Sequence, residues 1–111
     1  MVMNQPAGLN HIHDEINSIT KQIISLYSPS KIIIFGSQVK GTATIKSDID
    51  ICIVKATDYK RALLTEMYLK INTNKPYDLL LYTETEWNHC IKDSTSFAYQ
   101  INKKGIVLYD R

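Results

Sequence analysis

Residues 35–51 read FGSQVKGTATIKSDIDI, and this stretch determines how the chain around it is expected to fold. Its last residues alternate aspartate with isoleucine, so Asp48 and Asp50 are expected on one face of a β-strand and the isoleucines on the other. The preceding run KIIIF, at Lys31–Phe35, is rich in β-branched side chains and predicts a strand buried on both faces. Residues 36–46 are interpreted as a loop or a single helical turn. Because this connection is short, the two strands are predicted to be antiparallel.

The segments on either side predict further helices and a third strand. Isoleucines recur at helical spacing after Asn10, which is a suitable cap for a first helix. The run YDLLLY, at Tyr77–Tyr82, predicts a strand that follows a helix, and this order permits a parallel crossover. Thr83 and Glu86 have the spacing of a capping box, and Gly105 is expected to close a last helix before a short final strand. The predicted order α-β-β-α-β-α-α-β indicates a small mixed sheet backed by helices, an α+β fold with α/β-like alternation.

Length and composition limit the classes of protein to be considered. The 111 residues suffice for one small domain, so residues 1–111 are expected to form a single domain with residues 1–9 as a flexible lead-in. A net charge of +2 is too small to indicate direct nucleic-acid binding. Cys52 and Cys90 do not have the spacing of a zinc site. The chain shows no signal-peptide core and no apolar run of roughly 20 residues, so a cytoplasmic location without membrane contact is expected.

Two carboxylates on one face of a strand require a positive partner. The Cα atoms of Asp48 and Asp50 are expected roughly 7 Å apart, and their charges repel unless a cation binds or a proton is taken up. Mg²⁺ favours carboxylate oxygen and usually completes its coordination with water and substrate phosphates. If the third strand lies beside the second, Asp78 joins the pair, and three carboxylates could hold two Mg²⁺ ions for an in-line displacement at phosphorus. Asp48, Asp50 and Asp78 are therefore the predicted metal ligands and catalytic residues.

The Gly-Ser turn is the candidate for the phosphate side of the site. Gly36 allows backbone N–H groups to approach a phosphate closely, and the hydroxyl of Ser37 adds a hydrogen-bond donor. Lys40 and Lys46 are close in sequence and could offset phosphate charge. These four residues are the predicted nucleotide-binding set. The alternative that the turn is only a turn, and the lysines ordinary surface residues, stays open at this point.

The GS pair at 36–37, ten intervening residues and the DID triplet at 48–50 resemble the GS-x10-DxD pattern of the polymerase-β-like nucleotidyltransferases. Asp78 corresponds to the third carboxylate of that family. The chain is most similar to the minimal nucleotidyltransferases, which are often encoded beside a HEPN-domain partner as toxin–antitoxin pairs. The resemblance covers residues 31–82 and implies a polymerase-β-type fold, ATP as substrate and Mg²⁺ as cofactor. It further implies an antitoxin that transfers AMP to a tyrosine hydroxyl of a HEPN-type RNase toxin encoded by a neighbouring gene, which neutralises that toxin.

The turn departs from the pattern of these relatives, which often carry arginines where this chain has Gln38 and Lys40. Lysine offers a point charge without the two-pronged geometry of a guanidinium, so the phosphate contacts are expected to be weaker or differently placed. The second, substrate-binding lobe of the antibiotic-modifying and RNA-modifying relatives has no counterpart in the sequence. The resemblance therefore implies that another protein holds the acceptor.

Two other functions stay open from the sequence. The chain could be a non-catalytic antitoxin that blocks a HEPN toxin by binding alone. It could also be a small-molecule or RNA nucleotidyltransferase that acts as an oligomer, in which a neighbouring subunit supplies the acceptor site. Neither an oligomer nor a hetero-oligomer is favoured over the other, and no residue that reads a nucleotide base is evident in the sequence.

Overall fold

The computed structural model describes residues 7–41 and 47–111, with side chains from residue 13 onward. This part of the chain forms helices on both sides of a single β-sheet. The helices are α1 (Ala7–Tyr27), α2 (Ser37–Lys40), α3 (Lys60–Lys70), α4 (Glu84–Cys90) and α5 (Phe97–Lys104), and the strands are β1 (Lys31–Phe35), β2 (Ile49–Val54), β3 (Tyr77–Tyr82) and β4 (Ile106–Asp110).

The four strands form one mixed sheet in the order β3-β2-β1-β4. Strand β1 lies antiparallel to both β2 and β4, and β2 runs parallel to β3. The pairing of β1 with β2 confirms the antiparallel arrangement expected from their short connection. Helix α3 provides the crossover that the parallel pair β2 and β3 requires. The predicted α+β fold with a small mixed sheet is therefore confirmed.

The alternation in β2 directs its side chains into two hydrophobic clusters, one on each face of the sheet. The isoleucines of β2 pack on one face against α1 and α3. On the other face, Cys52 packs with Trp87 of α4 and Ile101 of α5. Burial raises the pKa of the Cys52 thiol to about 12, so this group stays protonated and acts as a small apolar side chain. Because Asp50 shares a face with Cys52, the helix that approaches the candidate site is α5.

The start of α1 differs from the prediction. The helix begins at Ala7, so residues 7–9 are helical and do not form a lead-in, and Asn10 lies inside the helix and does not cap it. A glycine near a helix end costs only about 1 kcal/mol relative to alanine, so Gly8 does not prevent the helix from extending. Residues 1–6 of the predicted lead-in lie outside the described residues.

The start of α4 has the cap that the sequence predicts. The Thr83 hydroxyl accepts a hydrogen bond from the Glu86 N–H at 3.1 Å, and the Glu86 carboxylate accepts one from the Thr83 N–H at 2.9 Å. This reciprocal pair confirms the predicted capping box. Among the described helices, none is both long enough and apolar enough to cross a membrane.

Gly105 joins α5 to β4. Its backbone angles, φ −74° and ψ 168°, are accessible to any residue, so a glycine is needed there for lack of space and not for its conformation. A Cβ atom there would lie 2.5 Å from Cγ2 of Ile33 and 2.6 Å from the carbonyl oxygen of Ile101. We expect Gly105→Ala to lower the free energy of unfolding by about 1–3 kcal/mol, because α5 would be pushed away from β1. Urea denaturation measures the change. An unchanged free energy of unfolding would contradict this close packing.

Candidate active site

The strand register brings two of the predicted carboxylates side by side. Asp50 of β2 is the register partner of Asp78 of β3, and neighbouring strands lie about 4.8 Å apart. On its other side, Asp50 is paired with Phe35, the last residue of β1, so the turn at Gly36 begins next to Asp50. Asp48 is exposed and precedes the first residue of β2. Asp50 therefore lies between Asp78 and the Gly-Ser turn.

The position of Gly36 accepts only glycine, for two independent reasons. Its backbone angles, φ 82° and ψ −149°, lie in a region that is essentially restricted to glycine. A Cβ atom built on Gly36 would lie 2.4 Å from Oδ2 of Asp50. Beyond Gly36 the chain makes the single turn of α2, in which the N–H groups of Val39 and Lys40 donate to the Gly36 carbonyl at 3.1 Å each. The backbone of the turn is therefore packed directly against the Asp50 carboxylate.

The carboxyl group of Asp50 differs electrostatically from an ordinary surface carboxyl. Partial burial raises its pKa above the ordinary value of 3.8, and the negative charges of Asp78 and then Asp48 raise the pKa further. Asp50 thus experiences the repulsion of both other carboxylates while it is partly withdrawn from water. A divalent cation would offset this repulsion, so the electrostatics of the cluster favour cation binding.

We expect Asp78→Asn to lower the pKa of Asp50 in protein freed of divalent cations, because Asp78 is the larger of the two like-charge contributions. Asp48→Asn is expected to lower it by less. Because the folded-state pKa of Asp50 exceeds the unfolded value of about 3.9, its protonation stabilises the fold fully below that pH, and this contribution is lost as pH rises through the folded-state pKa. NMR titration of the carboxyl carbon measures each pKa. A larger shift of the Asp50 pKa in Asp48→Asn than in Asp78→Asn would contradict the strand register that places Asp78 beside Asp50.

A cavity of about 690 Å³ opens beside Asp50 and Asp78. This volume lies within the range of sites that bind small molecules. Of the residues predicted from sequence, Gly36, Lys40, Asp50 and Asp78 line this cavity. Sequence reasoning missed four cavity-lining residues of α5, for which helical spacing was the one available signal: Phe97, Gln100, Ile101 and Lys104.

The residues of the Gly-Ser turn and the loop that follows it have different surroundings. Lys40 is exposed and forms no ion pair with another described residue. Ser37 is half-buried and is the first residue of α2. Gln38 donates from Nε2 to the backbone carbonyl of Asp48 at 3.4 Å, a long hydrogen bond that connects the turn to the start of β2. Lys46 lies outside the described residues.

The three carboxylates fit Mg²⁺ by donor type, because hard oxygen ligands are those that Mg²⁺ prefers. Within residues 13–41 and 47–111, no group of three His, Cys, Asp or Glu side chains is close enough together to hold a metal ion unaided. Mg²⁺ usually takes one or two carboxylates and completes its coordination with phosphate and water. Asp50 and Asp78, which are register partners, can supply that number.

Comparisons with known proteins identify the fold. The family model "Polymerase beta, Nucleotidyltransferase" matches residues 16–111, which include all three predicted carboxylates. No curated protein matches the sequence. A candidate nucleotidyltransferase from Sulfolobus solfataricus has a similar structure, with a TM-score of 0.65 and 18% identity over 99% of this chain and 94% of that chain. A toxin–antitoxin structure with AMP-PNP gives a TM-score of 0.61 and 22% identity over 86% of this chain and 73% of that chain. At these identities the two structures are evidence of fold alone.

Proposed function

Because the chain belongs to the polymerase beta nucleotidyltransferase family, we propose that it is a Mg²⁺-dependent antitoxin that transfers AMP from ATP to a tyrosine hydroxyl of a HEPN-type RNase toxin and so neutralises it. The observation that carries this proposal is the close packing of Gly36 on Asp50, with Asp78 in register beside it. A turn that can receive a phosphate and carboxylates that can hold a cation are the two elements that this reaction needs.

The proposed reaction is an in-line displacement at the α-phosphorus of ATP. The tyrosine oxygen bonds to that phosphorus, the bond to the bridging oxygen of the β-phosphate breaks, and pyrophosphate leaves with the electron pair. Asp78, exposed at the cavity, accepts the tyrosine proton. Asp48, Asp50 and Asp78 would hold two Mg²⁺ ions, and the turn at Gly36 and the ammonium of Lys40 would orient the triphosphate. Bound Mg²⁺ supplies positive charge that stabilises the phosphate oxygens and the departing pyrophosphate.

Two observations support a protein as the acceptor. One sheet and its flanking helices account for the described residues, and these residues include no separate lobe that could hold an acceptor. One structure of similar fold is a toxin–antitoxin with AMP-PNP. The HEPN identity of the partner rests on the sequence resemblance to minimal nucleotidyltransferases. A toxin that brings its own tyrosine to the cavity would supply the acceptor of this reaction.

The test incubates the chain with labelled ATP, Mg²⁺ and the protein encoded by the adjacent gene. We expect AMP on a tyrosine of that protein, detected by intact mass and peptide mapping, together with loss of its RNase activity. Chelation of Mg²⁺ by EDTA is expected to prevent labelling. Asp48→Asn is expected to prevent both labelling and neutralisation, and Asp58→Asn, at an exposed position that does not line the cavity, is the matched control.

Two outcomes would contradict the proposal and identify its replacement. An unlabelled toxin that is neutralised equally by the wild-type chain and by Asp48→Asn would indicate an antitoxin that acts by binding alone. Label in a small molecule or an RNA, with none on the toxin, would indicate a nucleotidyltransferase with a different acceptor.

A further inference from the structure

We propose that α5 forms the adenine-binding wall of the cavity: Phe97 stacks on the base, Gln100 hydrogen-bonds to its edge and Lys104 binds the triphosphate. This assignment rests on the proposed function in one respect, that ATP is the substrate. Positions 97, 100 and 104 recur at helical spacing, so their side chains lie along one side of α5. All three line the same cavity as Asp50 and Asp78.

Phe97 presents an aromatic face at this cavity. Its ring packs edge-to-face against Phe35, with ring centroids 5.5 Å apart and an interplanar angle of 85°. This contact restrains the ring but leaves 57% of Phe97 exposed. Phe35 is in turn the register partner of Asp50, so the exposed ring lies close to the carboxylates. A flat base stacked on Phe97 would cover apolar surface that the fold leaves in water.

Gln100 has the hydrogen-bonding pattern that distinguishes adenine from guanine. Its side chain is half-buried at the cavity wall and has no hydrogen-bond partner among the described residues. A glutamine amide offers one acceptor and one donor side by side, which match the N6 amino group and N7 of adenine. Guanine presents two acceptors, O6 and N7, at the same edge, so one of the two bonds would be lost. Gln100 therefore favours ATP over GTP.

Lys104 and its neighbour Lys103 have different surroundings. Lys104 is exposed at the cavity and forms no ion pair with any described residue. Lys103 lies over the ring of Tyr99, with Nζ 6.0 Å from the ring centroid, and is not part of the cavity wall. Lys104 lines the same cavity as Asp50 and Asp78 but forms no ion pair with either, so its ammonium group can bind a triphosphate that lies between them.

The composition of the cavity favours a nucleotide over a tyrosine acceptor as its occupant. A tyrosine side chain offers one ring and one hydroxyl, and it has no negative charge for Lys40 or Lys104 to bind. A nucleoside triphosphate uses an aromatic face, an amide and two cations together, and its phosphates extend toward the carboxylates. The cavity volume of about 690 Å³ is in the range of small-molecule sites.

The experiment measures the Kd of the whole chain for α,β-methylene ATP and α,β-methylene GTP by calorimetry in Mg²⁺, without toxin. We expect Phe97→Ala to weaken ATP-analogue binding about tenfold, and Phe97→Tyr to restore it. Gln100→Ala is expected to reduce the preference for the ATP analogue over the GTP analogue. Lys104→Ala is expected to weaken triphosphate binding about tenfold while leaving adenosine binding unchanged. Lys103→Ala is the matched control and is expected to bind as the wild type does.

Affinities that are equal in the wild type, Phe97→Ala and Lys104→Ala would overturn the assignment, as would a wild-type chain that binds neither analogue. Weaker toxin labelling with unchanged nucleotide affinity in these variants would assign the cavity to the acceptor and also overturn it. The expected pattern of nucleotide affinities without any AMP transfer would support the α5 wall and contradict the proposed function, so the two failures are distinguishable.

Discussion

Asp50→Asn is expected to slow AMP transfer about a thousandfold and to leave the fold intact. Asp50 is the central carboxylate, in register with Asp78 and packed against Gly36. An asparagine keeps the shape of the side chain but removes the negative charge that we propose binds the cation. Loss of several kcal/mol of transition-state stabilisation corresponds to about three orders of magnitude in rate. The initial rate of label transfer to the toxin measures this effect.

The thermal stability of the same variant provides an internal check. Burial and two like charges raise the pKa of Asp50, so its ionised form is disfavoured in the folded state. Removing that charge is therefore expected to leave the Tm at neutral pH unchanged or to raise it. Asp58→Asn, with the same chemical change at an exposed position outside the cavity, is expected to retain wild-type activity. Activity of Asp50→Asn within tenfold of wild type would contradict a metal-binding role for Asp50.

Gly36→Ala is expected to lower both activity and stability. The new Cβ would lie 2.4 Å from Oδ2 of Asp50, so either the carboxylate or the turn must move. Displacement of a catalytic group by about 1 Å can cost about a hundredfold in rate. The backbone at Gly36, with φ 82° and ψ −149°, adds a strain of about 1–3 kcal/mol for any other residue. Transfer rates and urea denaturation measure the two effects separately.

Gly41→Ala is the matched control for this substitution. Gly41 also has a positive φ, 77°, but a Cβ atom there meets no atom of the described residues within 4 Å. We expect backbone strain to lower the stability of Gly41→Ala, whereas its transfer rate under folding conditions stays within a few-fold of wild type. Equal losses of rate in the two alanine variants would show that strain in the turn, and not contact with Asp50, determines the activity.

Local patterns were sufficient to predict most of the fold. The alternation of Asp48 to Ile53 separates the two faces of β2, and this separation depends only on the period of a strand. The capping box at Thr83 depends on four adjacent residues and was equally predictable. The start of α1 was not predictable in this way, because a glycine near a helix end is a weak signal that the rest of the helix can override.

The candidate site was predictable only where a motif marks it. Gly36 and Asp50 belong to one continuous stretch, whereas the position of Asp78 depended on which strand lies beside β2. The side chains of α5 reach the cavity because Gly105 lets that helix approach the backbone of β1, which is a property of tertiary packing. Phe97 and Lys104 therefore resemble ordinary residues of an amphipathic helix when the sequence is considered alone.

Asp50 lies on an interior strand of the sheet, whereas Asp78 lies on an edge strand. Strand β2 has hydrogen-bonded neighbours on both sides, whereas β3 is paired within the described residues only with β2. Its outer side is secured instead by Tyr68 of α3, whose hydroxyl accepts a hydrogen bond from the Leu79 N–H at 2.7 Å and whose ring stacks on Tyr77. Sheet edges open at lower free energy than interior strands. The phenol group of Tyr68 thus helps to hold in place the strand that carries Asp78, the proposed proton acceptor.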